Sequence, residues 1–117
     1  MLNTVKSVAR ARSQGNELFK SGNFAEASTA YGEGLRYDPS NPVLYCNRSV
    51  CRSKLEQWER SIEDCNEALR IHPSYVKALL RRAVSYAKVC FIQICHLFSF
   101  LVLVSSLDQS SYILSVS

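Results

Sequence analysis

The chain has 117 residues, 47% apolar and 21% charged, which is room for one small domain and too apolar for a disordered one. A net charge of +4 is too small to mark a nucleic-acid binder, yet it favours an acidic ligand wherever the basic residues converge. The five cysteines are odd in number and lack a Cys-x-x-Cys pair, so they are read mostly as small buried hydrophobes; Cys90, Cys95 and His96 have no second ligand pair at zinc spacing, and neither metal nor cofactor is expected.

Residues 1–7 are an extension or the start of a first helix over about 5–20. Val5 to Arg12 is basic and acid-free in the manner of a mitochondrial presequence, but the stretch reads better as the opening of that helix. Further helices are expected at about 24–37, 42–55, 58–71 and from 75 onward, with Gly22-Asn23 and Glu56-Gln57 in turns and no period-two strand pattern anywhere. The chain is therefore read as all-α. Glu33-Gly-Leu-Arg-Tyr-Asp-Pro-Ser40 returns 34 positions later as Glu67-Ala-Leu-Arg-Ile-His-Pro-Ser74. That period gives one repeat over 8–41, a second over 42–75 and a partial third over 76–88. Gly15, Ser49 and Ala83 share one small-residue position where paired helices cross; Phe24 and Trp58, Ala27 and Ser61, Pro39 and Pro73 are further equivalents. Such a unit buries its apolar face only by stacking on a neighbour, which predicts a helical-hairpin solenoid with a concave binding surface. His72, just before Pro73, is expected to meet the terminal carbonyls of its helix. The sequon Asn47-Arg48-Ser49 lies inside a helix, which argues against glycosylation and for a cytoplasmic protein.

Leu18-Phe19, Gly22, Phe24, Ala27, Tyr31 and Pro39, with Trp58, Ala68 and Pro73 in the second copy, resemble the tetratricopeptide repeat over residues 8 to 88. The stretch Tyr31 to Ser49 is similar to plant tetratricopeptide-repeat thioredoxin-like proteins, although these residues hold no thioredoxin-like segment. The resemblance to co-chaperone domains of this family implies a two-carboxylate clamp for the acidic C-terminal tails of heat-shock chaperones of the 70- and 90-kDa classes. Its positions match Arg12 and Asn16 on the first helix, Asn47 on the third, and Lys77 and Arg81 on the fifth; Arg12 stands where lysine is usual. Phe19 and Lys20 are candidate groove contacts with upstream ligand side chains.

The residues themselves agree with that implication. Spacing i,i+4 puts Arg12 with Asn16, and Lys77 with Arg81, on one helix face. Two like charges so placed repel by about 0.2–0.5 kcal/mol, which an anion between them relieves. Asn47 donates to a carboxylate without adding charge. Taken singly, Arg12, Lys77 and Arg81 also read as solvated surface charges, Asn16 as a packing residue, and Asn47 as a partner for buried backbone. Arg48 and Arg82 are read as surface or inter-helix pairing residues. With no phosphate-cradling glycine loop, paired-carboxylate constellation or nucleophilic triad, the chain is not expected to be an enzyme.

After Lys88 the pattern breaks. A third repeat calls for aromatic, alanine and proline positions near 92, 95 and 107, but the chain reads Val89-Cys-Phe-Ile-Gln-Ile-Cys-His-Leu-Phe-Ser-Phe-Leu-Val-Leu-Val104 and then turns Ser-rich, with Asp108 the one formal charge over 89–117. Sixteen helical residues span about 24 Å, short of a hydrocarbon core of about 30 Å, and Gln93 and His96 interrupt the run. The change of composition favours a segment foreign to the family, such as a retained intron. A membrane anchor and a divergent packing helix are the alternatives, and self-association through the apolar run is a further consequence to expect. A fifth helix without its hairpin partner also predicts a less pre-organised clamp and weaker binding than three whole repeats would give.

Overall fold

The computed structural model describes residues 2–116, with side chains through Leu107, so the side chains of the Ser-rich end lie outside the described residues. Five helices follow one another: α1 Leu2–Lys20, α2 Phe24–Tyr37, α3 Pro42–Lys54, α4 Trp58–Ile71 and α5 Val76–Val116. No strand occurs among the described residues. The helices agree with the expected spans, apart from a longer α1 and ends shifted by a residue elsewhere.

The breaks have local causes. Gly22 takes φ +82° between α1 and α2, the left-handed conformation that glycine adopts without a Cβ penalty. Its equivalent Glu56 takes φ 59° in the same turn one repeat later, where an ordinary residue is held against its steric preference. Asn41 starts α3 by accepting from Val43 N at 3.1 Å and Leu44 N at 3.3 Å, with Pro42 at the first helical position. Helices α2 and α4 end alike: the Asp38 and His72 amides donate to Gly34 O and Ala68 O at 3.0 and 2.8 Å, just before Pro39 and Pro73. The His72 ring does not meet those carbonyls. It stacks on Tyr75 with centroids 5.6 Å apart, and its Nδ1 lies 3.3 Å from Ser74 Oγ.

The chain divides into two compact units between Tyr86 and Ala87. In the first, α1 packs on α2, α2 on α3, and α3 on α4. One core cluster joins Ala27, Tyr31, Leu35, Leu44 and Cys51; a second joins Cys46, Ala68, Leu69 and Ala78 at the start of α5. Tyr45 packs against both, which couples the two repeats. Close helix crossings explain the small residues. A Cβ on Gly15 would lie 2.6 Å from the Tyr31 ring, and the buried Ser61 hydroxyl donates to Ser49 O at 2.9 Å and lies 3.1 Å from Ser85 Oγ. The third member of the series departs from expectation. Ala83 is not buried at a crossing, because α5 continues to Val116 where a third hairpin would have turned back.

Polar pairing inside the first unit centres on Asp64, whose side chain is 3% exposed and held by Arg48 at 2.8 Å and Arg52 at 2.9 Å. The Arg48 fork also approaches the other oxygen, with Nε to Oδ2 at 3.0 Å. Arg82 donates to Asn66 at 3.0 Å, so both arginines read as pairing residues bridge helices. Cys46, Cys51 and Cys65 are buried, whereas Cys90 and Cys95 are exposed. In the second unit, residues 87–107 are helical and their large apolar side chains, Phe91, Leu97, Phe98 and Leu103 among them, face outward.

Candidate functional site

A cavity of about 530 Å³ opens on the first unit between α1, α3 and the first turns of α5, within the size range of ligand sites. Asn16, Asn47, Lys77 and Arg81 supply its polar lining, and Phe19, Val50, Leu80 and Val84 its apolar lining. Tyr31 and Cys46 complete the wall. No acidic side chain lines it, and neither Lys77 nor Arg81 has an ion-pair partner among the described residues.

The repeat places these groups for simple reasons. Asn16 follows Gly15, whose missing Cβ lets the Tyr31 ring of α2 come in against α1. The Tyr31 hydroxyl then donates to Asn16 Oδ1 at 2.6 Å. An amide that accepts on its oxygen keeps both N–H groups for an outside acceptor. Tyr31 is 3% exposed, and burial, aided by Cys51, pushes its hydroxyl up to about 12, so it remains a donor through the physiological range. Asn47 sits one helical turn before Cys51 on α3 and makes no hydrogen bond to another described side chain. Lys77 and Arg81 are successive turns of one α5 face, with Leu80 and Val84 beside them.

Cys46 registers the field of the site. Burial pushes its thiol up, while a hydrogen bond with Tyr75 and the positive charges of Arg81 and Lys77 pull it down. Burial likewise raises Cys51, to about 11, and Cys65. These thiols are therefore protonated and unreactive at neutral pH.

Of the seven candidate residues, Asn16, Phe19, Asn47, Lys77 and Arg81 share the cavity. Arg12 and Lys20 are exposed one turn before and after Asn16 on α1 and do not line it. Sequence reasoning missed Val50, Leu80 and Val84 as lining residues, although each lies three positions after a polar candidate and so on nearly the same face. Tyr31 was visible as a repeat position. Its bond to Asn16 was not.

The TPR repeat family matches residues 15–49. The chain is 64% identical over 81 residues to the TPR repeat-containing thioredoxin TTL4 of Arabidopsis thaliana, a match covering 69% of this chain but 12% of that protein. Among solved structures, the TPR2B domain of yeast Sti1 in its pHsp70 complex is 31% identical with a TM-score of 0.70, covering 72% of this chain and 67% of that one. The second TPR domain of human RPAP3, in complex with the HSP70 peptide SGPTIEEVD, is 27% identical with a TM-score of 0.72, covering 77% and 75%. With the 34-residue period, small-residue crossings and stacked hairpins of α1 to α4, these likenesses make the chain a member of the tetratricopeptide-repeat family.

Proposed function

We propose that residues 8–88 are a non-enzymatic cytoplasmic adaptor module that holds the acidic C-terminal peptide of heat-shock chaperones by its terminal carboxylates. The observation that carries this reading is the acid-free cavity in which two asparagine amides and two cations converge. The Asn16 amide, fixed by Tyr31, and Asn47 donate to carboxylate oxygens without adding charge. Lys77 and Arg81 supply the countercharge. Arg12, outside the lining, acts at the rim. Phe19, Val50, Leu80 and Val84 take apolar ligand side chains, and Lys20 meets the upstream part of the peptide. Charge-assisted hydrogen bonds contribute about 1.5–3 kcal/mol each, so three or four suffice for micromolar binding of a short peptide. Support from likeness comes from Sti1 and RPAP3, whose domains were solved with chaperone peptides.

Calorimetric titration with a peptide ending Glu-Glu-Val-Asp, as free acid and as amide, tests the mechanism. The amide is expected to bind at least tenfold more weakly, and Arg81→Ala to lose about 1.4 kcal/mol toward the free acid. Equal affinity for the two peptides would sink the carboxylate reading.

A further inference from the structure

The unit that begins at Ala87 carries chemistry unlike that of the repeats, and its reading is independent of the peptide site. From Val89 to Leu107 there are 19 residues without a formal charge, all helical. At about 1.5 Å per residue they extend about 28 Å, close to a bilayer hydrocarbon core of about 30 Å. Helix α5 is uncharged from Val89 to Leu107; its earlier turns hold Lys77, Arg81, Arg82 and Lys88, and Asp108 follows, so the apolar window lies between them.

The distribution of side chains around the axis identifies the environment. A helix that docks on a protein keeps a polar side toward water. Leu97, Phe98, Ile92 and Phe100 are 59%, 67%, 41% and 61% exposed, and at about 100° per residue they stand at about 0°, 100°, 220° and 300° around the axis, so apolar side chains are exposed all round it. Gln93, His96 and Ser99 recur every third position along one flank, too few to make a water-facing side. A docking groove covers one face, whereas lipid covers the whole circumference. Backbone groups are satisfied inside the helix, as a hydrocarbon environment requires.

The flanks add polarity. Lys77, Arg81, Arg82 and Lys88 precede the window, and no lysine or arginine occurs from 108 to 117. Such an asymmetry orients the basic end toward the cytoplasm. We propose that residues 89–107 span a lipid bilayer, with the Lys88 end at the cytoplasmic surface.

The test is cell-free synthesis of the whole chain with vesicles of phosphatidylcholine and phosphatidylserine, followed by flotation and an alkaline carbonate wash. The chain is expected to float and resist the wash. In a Cys90→Ser chain, Cys95 should be closed to a membrane-impermeant maleimide until detergent is added, and Cys46, Cys51 and Cys65 provide little background because they are buried. Leu97→Arg combined with Leu101→Arg should abolish carbonate-resistant flotation while helical circular dichroism persists. The proposal is overturned by a chain that stays at the bottom of the gradient as a soluble monomer or discrete oligomer. Carbonate-released material with Cys95 labelled before detergent, or undiminished flotation of the arginine pair, overturns it equally.

Discussion

Replacing Tyr31 by phenylalanine removes one oxygen atom and tests how the site is pre-organised. The hydroxyl donates to Asn16 Oδ1 over 2.6 Å, and the ring is packed against Gly15, where a Cβ would come within 2.6 Å. Phenylalanine keeps that packing, so the change acts chiefly on the hydrogen bond. Losing it is expected to lower stability by about 1 kcal/mol and to free the Asn16 side chain to turn its oxygen toward the ligand. If the fixed amide is worth a similar amount in binding, affinity for the free-acid peptide falls about fivefold, or about 1 kcal/mol. The assay is paired titration of wild type and Tyr31→Phe with free-acid and amidated peptides, beside thermal melts of both proteins. The loss should fall mainly on the free acid. A folded Tyr31→Phe protein that binds both peptides as wild type does would refute the reasoning, because Asn16 would then need no positioning.

Asp64→Ala leaves Arg48 and Arg52 facing each other without their shared carboxylate; an expected loss of about 2–3 kcal/mol, below the usual range for a fully buried pair because the arginines are partly exposed, lowers the melting temperature by about 10 °C or more. Circular dichroism melts check this, and an unchanged melt would show that the trio contributes nothing net. Alkaline pH should also destabilise the repeats. Cys51 rises from its ordinary 9.0 to about 11 and Tyr31 from 10.0 to about 12, so the fold favours their neutral forms. That contribution is complete below pH 9, and above it the unfolded chain loses protons first, so stability falls between about pH 9 and 12; denaturant titrations across that window should show midpoints declining with pH. Glu56→Gly should stabilise by up to about 1 kcal/mol by relieving the left-handed backbone, measured by chemical denaturation.

The period of 34 made the helices, turns and crossing positions legible, because each has an echo in the neighbouring repeat. What has no echo stayed hidden. Asp64 corresponds to Ala30, and its partners Arg48 and Arg52 to Gln14 and Leu18, so comparing the repeats removes the trio from view. The bond from Tyr31 to Asn16 joins two helices and depends on the missing Cβ of Gly15, a distance that no spacing rule encodes. The small residue Ala83 reads as a crossing point by analogy, but a crossing needs a second helix, and α5 runs on instead. The polar cavity residues were legible through the resemblance to co-chaperone domains of the family, with i,i+4 spacing placing Lys77 and Arg81 on one helix face; Arg12, matched in the same way, does not line the cavity.

Gly22 and Glu56 hold the same backbone conformation with unequal intrinsic willingness to adopt it. The second turn is therefore imposed by the packing on either side of it, through clusters that Tyr45 joins. In a linear array, a unit that depends on its neighbour for its own local geometry does not melt independently of that neighbour. The consequence is cooperativity: the two hairpins should unfold in one transition, and damage at α1 should reach α4 through the shared interface.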